Sequence, residues 1–178
     1  FKNEYFEKIE DLDNFVRKCD VIVHLAALNR HESSSVIYDT NIRLASTLIN
    51  SFERTKSTPH VIISSSSQEQ ENNLYGKSKK ISRLLLSDWA KENNALFTGM
   101  IIPNVYGPFC KPNYNSVVAT FCYKLSNNQK PKIDIDKRLK LIYVSSLIKC
   151  ILNCIDKNIN KSIYKVKPCH EIKVSNLL

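Results

Sequence analysis

Glycine is nearly absent from this chain. Three occur in 178 residues, at Gly76, Gly99 and Gly107, where average usage near 7% would give about twelve. No two lie close enough to build a glycine-rich turn around a phosphate, so this stretch carries no pyrophosphate loop. Cysteines at metal or redox spacing are missing too: Cys19, Cys110, Cys122, Cys150, Cys154 and Cys169 include no C-x-x-C pair. Cys150 and Cys154 sit in the apolar, helix-periodic "LIKCILNCI" and read as small core residues. Cys169-His170 has no second cluster to answer it, so no metal is expected. A chain this long and apolar needs no disulfide scaffold, and reduced thiols in a cytoplasmic protein are the expectation. No apolar run approaches the roughly 20 residues of a membrane span; "VIVHLAAL" has the length of a buried strand. The chain opens on Phe1 rather than Met, so the lack of a leader says nothing about export.

What is present is ordinary for a globular domain: 43% hydrophobic and 24% charged residues, in a length sufficient to bury a core. The formal charge of +9 raises the question of nucleic acid. Its lysines are scattered with acids between them, as in "KPKIDIDKRLK", and no run alternates basic and aromatic residues as a single-strand groove does. A solvated basic surface is expected, which tolerates a diphosphate-bearing small substrate and needs no nucleic-acid partner.

Hydrophobic periodicity alternates between two types. "FEKIEDLDNFVRK" puts Phe6, Ile9, Leu12, Phe15 and Val16 on one helical face, and "DVIVHLAAL" (20–28) reads as a buried parallel strand. A helix over 36–54 carries a stripe of Ile37, Asn41, Leu44, Leu48 and Phe52; "HVIISSSS" (60–67) is a second buried strand ending in hydroxyls. A helix over 78–94 should turn Ile81, Leu84, Leu85 and Trp89 inward, and "ALFTGMIIPNV" (95–105) is a strand halted by Pro103. A loop, a helix over 115–128 with Phe121 in its core face, a strand over 139–144, a helix capped by Ser145, and a short strand over 162–166 complete the series. Strands alternating with helices predict one α/β domain, a doubly wound parallel sheet covered on both faces, with no second domain. His24, inside an apolar strand, reads as a satisfied core histidine.

One pair of residues carries chemistry. "NNLYGKSKK" holds Tyr75 and Lys79 four apart. Chance alone supplies roughly one such spacing in a chain this rich in Lys and Tyr, so the surroundings decide. In a doubly wound sheet, ligands bind beyond the carboxyl ends of the strands. Ser64 to Ser67 lie at such an end, and Tyr75 and Lys79 follow at the start of the next helix, on one face. A phenol ionises near 10, too high for easy proton exchange at neutral pH. A neighbouring ammonium is expected to bring it down.

The four segments "DVIVHLAAL", "IISSSS", "YGKSK" and "IIPNVYGP", in this order, resemble the extended short-chain dehydrogenase/reductase family of nucleotide-sugar enzymes. The resemblance implies a Rossmann-like fold and NAD or NADP as cofactor. It implies Ser66 as the substrate-holding hydroxyl, Tyr75 as proton donor or acceptor, and Lys79 as both ribose ligand and modulator of the tyrosine. Leu25, Ala26, Ala27, Pro103 and Asn104 would flank the cofactor. The stretch "PNVYGPFCKPNYNSVVATFCYKL" (103–125) resembles, more narrowly, the reductase domains of bifunctional capsular-polysaccharide enzymes that carry a C-terminal cupin. Those reduce the 4-keto group of a UDP-2-acetamido-2,6-dideoxy hexulose with NADPH, which makes a UDP-sugar the implied substrate and favours NADPH. Asn104, Lys111, Asn113 and Asn115 are then substrate-contacting candidates, within elements around 104–144. A homodimer is compatible with the resemblance.

The chain also departs from the family. Met100, Ile101 and Ile102 stand where a basic residue is usual, and Ser145 and Ser146 where an acid is common. The glycine-rich first turn and the cupin are absent, so the sheet is expected to be incomplete, a piece starting after the first strand-helix unit. An epimerase or dehydratase on the same scaffold is the first rival; Ser67-Gln68-Glu69 replaces the Asp-Glu pair that dehydratases need. A non-catalytic dinucleotide-binding relative is the second, and the intact Ser-Tyr-Lys set speaks against it.

Overall fold

The computed structural model describes residues 6–178, which fall into two compact units. The first comprises residues up to Ile101 together with Cys154–Lys165; the second comprises Ile102–Asn153 and Val166–Leu178.

In the first unit, β1 (Val21–His24), β2 (His60–Ser66), β3 (Phe97–Ile102) and β6 (Lys161–Lys165) form a parallel sheet in the order β1-β2-β3-β6. The connections are helices, α2 (Ser34–Thr55) between β1 and β2 and α3 (Leu74–Glu92) between β2 and β3, with α1 (Ile9–Val16) ahead of β1. One core gathers Leu12 and Val16 of α1, Ala45, Leu48 and Phe52 of α2, and Leu86, Trp89 and Ala90 of α3. These pack against Ile22, Val61, Ile63 and Phe97 of the strands. These three helices share one face of the sheet, and Ile62 and Met100, which alternate to its other face, are buried as well. Short right-handed crossovers between neighbouring parallel strands put successive helices on the same side. A buried cluster pins α1 to α2: Asp13 accepts from Ser51 at 2.6 Å and from Arg54 at 3.0 and 2.8 Å.

The second unit has its own sheet, β4 (Asn104–Tyr106), β5 (Arg138–Tyr143) and β7 (His170–Lys173). Strand β4 runs parallel and β7 antiparallel to β5. Phe121 of α4 (Val117–Ser126), Leu139 and Leu141 of β5, and Val174 make its core. Helix α5 (Val144–Asp156) follows β5 without a break.

Several expectations change here. The strand read over 95–105 is two strands in two sheets. Pro103 has no N–H for a ladder, and the chain leaves one sheet and enters the other at that residue. The strand over 139–144 belongs to the second sheet, and β7 was not anticipated at all, since its "HEIK" is too short and polar to signal a strand. Ser145 lies inside α5 rather than capping it. On α3 the buried side is Ser78, Lys79, Ser82, Arg83, Leu86 and Trp89, while Leu84 and Leu85 are exposed. The inward stripe of this helix is polar because it carries the site, so apolar periodicity pointed to the wrong face. Trp89 and Phe121 are buried as expected, and Cys154 is more deeply buried than Cys150.

Candidate active site

The site is assembled at the carboxyl ends of β1 and β2. Their parallel register pairs His24 with Ile63, and Ser64 Oγ donates to the His24 carbonyl at 3.3 Å, tying the strand ends together. Strand β1 stops at His24, four residues short of the run that predicts it. The reason is Asn41: its Oδ1 accepts from Leu28 N–H at 2.7 Å and its Nδ2 donates to Leu28 C=O at 3.0 Å. Both backbone groups of Leu28 are thus taken by a side chain instead of a ladder. Asn41 Nδ2 also reaches Ser78 Oγ at 2.9 Å, and Ser82 Oγ donates to the Asn41 carbonyl at 3.1 Å. One buried asparagine on α2 therefore holds the 25–28 loop against α3.

Beyond β2 the chain makes a 3₁₀ turn, Ser67–Gln70, whose N-cap is Ser66: its Oγ accepts from Gln68 N–H at 3.2 Å. Helix α3 begins at Leu74, capped by Asn73 Oδ1 on Gly76 N–H at 2.7 Å. Tyr75 stands in its first turn and Lys79 one turn later. Ser66 is near enough to the Tyr75 phenol to oppose the rise in its ionisation.

The electrostatics differ from expectation in one respect. Burial raises the Tyr75 phenol above its ordinary value, and Ser66 pulls the other way. The expected net depression is not found: removal of water from the phenolate is the dominant effect. Lys79 is itself 4% exposed. Burial lowers its ammonium to about 8, against a weaker upward pull from Glu69. His24 is 5% exposed, lowered to about 4 by burial and then by the Lys79 charge. It is a neutral core histidine whose charge state is coupled to the lysine.

Leu25 is exposed, with Ala26 and Ala27 half-buried beside it. That apolar ledge, a buried ammonium and two hydroxyls at the ends of parallel strands are the donor set that a nicotinamide ribose requires, so the residues fit a dinucleotide.

Pro103, Asn104, Lys111, Asn113 and Asn115 belong to the second unit. Pro103 is buried at the β3–β4 break, and Asn104 is exposed with its Nδ2 donating to the Lys140 carbonyl at 3.3 Å. In the loop before α4, Asn113 adopts a positive φ of 54°. Its N–H donates to Thr120 Oγ1 at 2.9 Å, and the Lys111 ammonium lies 5.5 Å from the Tyr114 ring centre. Asn115 is exposed. This loop and α4 border a cavity of about 550 Å³ lined by Tyr106, Cys110, Val118, Cys122 and Tyr143 among others.

Residues 6–166 match the NAD dependent epimerase/dehydratase family. The chain belongs to that family. The UDP-2-acetamido-2,6-beta-L-arabino-hexul-4-ose reductase of Pseudomonas aeruginosa is 26% identical over 171 residues, covering 95% of this chain and 46% of the relative. The crystal structure of the capsular polysaccharide assembling protein CapF from Staphylococcus aureus superposes with a TM-score of 0.81 at 32% identity, over 96% of this chain and 47% of that one. The UDP-glucose 4-epimerase of Thermotoga maritima, at 20% identity and a TM-score of 0.84, shares the fold. The chain thus spans about half the length of the curated relative it matches. The extended short-chain dehydrogenase/reductase reading and the Rossmann-like parallel sheet both stand.

Sequence reasoning placed Asn41 on a helical stripe without giving it a task; a polar residue in an apolar stripe was the available signal. It missed the pairing of Glu69 with Arg83, since two charges fourteen residues apart across a turn leave no periodic trace.

Proposed function

We propose that this chain contributes the catalytic portion of an NAD(P)H-dependent reductase acting on the 4-keto group of a UDP-linked deoxy-amino sugar, in the assembly of a capsule or other surface polysaccharide. The observation that carries the reading is the Ser66–Tyr75–Lys79 set on neighbouring elements, the serine at the end of β2, the tyrosine in the first turn of α3 and the lysine buried one turn later. Reduced nicotinamide, NADPH by preference, supplies the hydride.

The protein's own residues handle the proton. Reduction of a ketone leaves an oxyanion that must be protonated, and a buried phenol whose ionisation is pushed upward stays protonated at neutral pH. Tyr75 is therefore held as an acid, the form that reduction needs. Ser66 donates a hydrogen bond to the same oxygen and steadies it as charge develops. Lys79, desolvated and cationic below about pH 8, binds the ribose hydroxyls. Leu25, Ala26 and Ala27 flank the nicotinamide, with Pro103 and Asn104 as further cofactor contacts. Asn104, Lys111, Asn113 and Asn115 contact the sugar nucleotide. A dehydratase or epimerase reading has less support, because both oxygens of Glu69, the nearest carboxylate after the serine strand, are already bonded to Arg83.

The test is oxidation of NADPH by the full-length protein carrying this sequence, given a UDP-linked 4-keto-6-deoxy amino sugar, with NADH as the comparison. Turnover that consumes reduced nicotinamide stoichiometrically with the ketone supports the reading. Interconversion of sugars without net oxidation of added cofactor refutes it in favour of an epimerase.

A further inference from the structure

The buried charges around α3 are not exhausted by this reading. Arg83, one turn beyond Lys79, is 3% exposed and meets Glu69 of the 3₁₀ turn with two parallel bonds: Nε to Oε1 at 2.8 Å and a terminal nitrogen to Oε2 at 2.7 Å. The other terminal nitrogen donates to the Ser162 carbonyl of β6 at 3.0 Å. Ser65, the residue before the catalytic serine, donates its hydroxyl to Glu69 Oε1. Each of the three guanidinium nitrogens and both carboxylate oxygens has a partner, which is what a buried ion pair needs to be tolerated.

Two of the three glycines make room for this arrangement. At Gly76 a Cβ would run into the Gln68 carbonyl, so the turn rests directly on the first turn of α3 next to Tyr75. At Gly99 a Cβ would meet the Arg83 Cδ at 2.6 Å and the Ser162 carbonyl, so β3 leaves a groove in which the arginine lies. The turn is thereby pinned to the helix at two points seven residues apart, and Ser66 caps one end of it.

The geometry points to the Glu69–Arg83 pair as a positioning device for the reaction: it clamps the turn that follows Ser66 onto the helix that carries Tyr75 and Lys79. This rests on the Ser66–Tyr75–Lys79 reading above. Glu69 is the group whose charge favours protonated Lys79, while burial and the dry interior oppose it. The titratable groups set against this stretch are His24 on β1, Glu69 on the turn, and Tyr75 and Arg83 on α3 itself. From α2 come Asn41, bonded to Ser78, and Tyr38, whose ring lies 6.0 Å from the Lys77 ammonium. Glu69 is the only anion in that set. Arg83 in turn fixes where the carboxylate sits, so neither residue touches substrate, yet both set the acid's surroundings.

The test is Glu69→Gln, with the double variant Glu69→Gln/Arg83→Met made in parallel so that no unpaired ion is buried. Both are made in the full-length protein, and the Lys79 side chain is followed by carbon NMR of labelled lysine across pH. The wild type should titrate near 8. Both variants should titrate lower, with the protonated fraction at pH 8 reduced about threefold or more. In the reductase assay kcat should fall at least tenfold with little change in KM for the sugar, and the alkaline limb of the pH profile should move down with the lysine. Arg83→Lys, which keeps the charge and loses the fork, should recover the lysine midpoint more fully than kcat. A folded variant whose Lys79 midpoint and kcat both match the wild type overturns the inference. A shifted Lys79 in a protein that reduces no keto sugar leaves the charge-setting role standing and defeats the functional reading instead.

Discussion

Tyr75 and Lys79 are governed by opposite consequences of the same burial. Removing water raises the phenol and lowers the ammonium, because each shift disfavours a charge that cannot be hydrated. Tyr75→Phe deletes one oxygen and should cut reductase turnover by ~10²–10⁴-fold. Its circular dichroism and cofactor affinity should match the wild type; near-normal turnover would remove Tyr75 from the chemistry. Lys79→Met should abolish turnover and weaken cofactor binding, yet stabilise the fold. A buried ammonium held about 2.5 units below its ordinary value carries a folding cost of about 3 kcal/mol, which a similarly shaped apolar side chain does not. A rise in the urea midpoint of Lys79→Met alongside lost activity would mark the lysine as kept for function against stability; an unchanged or lowered midpoint would contradict the burial argument.

At the scale of elements, the site depends on joints between α2, α3 and the loop after β1. Asn41 makes three side-chain hydrogen bonds there, at 2.7, 3.0 and 2.9 Å. Asn41→Ala leaves the Leu28 amide and carbonyl without partners, a loss of about 2–4 kcal/mol in unfolding free energy. Amide exchange should quicken most at Leu28, before any global change; uniform quickening across the first unit would instead mean that Asn41 is a general core residue. How far such joints could be read beforehand varied with their periodicity. The Tyr-Lys spacing and the serine strand were legible because they repeat at helical and strand periods. The 25–28 loop was read as strand, since nothing in "LAAL" shows that its backbone bonds are claimed by a residue thirteen positions on. The polar face of α3 was read as exposed, since apolar residues lie on its other side and only the fold shows which side is covered.

For the whole molecule, pH becomes a readout of stability through three buried bases: His24, Lys79, and His60, whose imidazole burial also lowers. His24 is lowered to about 4 from 6.5, so between those values the unfolded chain binds a proton that the folded one refuses. Stability therefore falls as pH drops through that window, by about 3 kcal/mol for this group. Lys79 acts at the other end. Below about 8 its cost is fully present, and it is relieved as pH rises toward 10.5, so this group's contribution rises there. Unfolding measured in urea from pH 4 to 10 should show a plateau from 6.5 to 8 between two rising limbs. His24→Asn should reduce the acid limb, leaving the part due to His60, and Lys79→Met should flatten the alkaline one. An acid limb that survives His24→Asn belongs to His60, and one that also survives His60→Asn would contradict the burial argument, since Asp13, held low by Arg54, loses that support only below this window.

The alternation of strands and helices from α1 to β3, the position of the serine strand, and the Tyr75–Lys79 spacing were determined by sequence alone, because each follows from side-chain period and local backbone rules that need no distant partner. So was the family, since its four segments recur in order along the chain. Which strands share a sheet was decided only by the tertiary structure: Pro103 ends one ladder, but where the chain goes next depends on β5 being there to receive it. The same holds for the direction of the Tyr75 shift, which depends on how much water the fold removes, and for the Glu69–Arg83 clamp, whose two charges meet only because Gly76 and Gly99 let the turn and the arginine approach the backbone. Burial and long-range pairing are properties of the packed chain, and no local pattern encodes them.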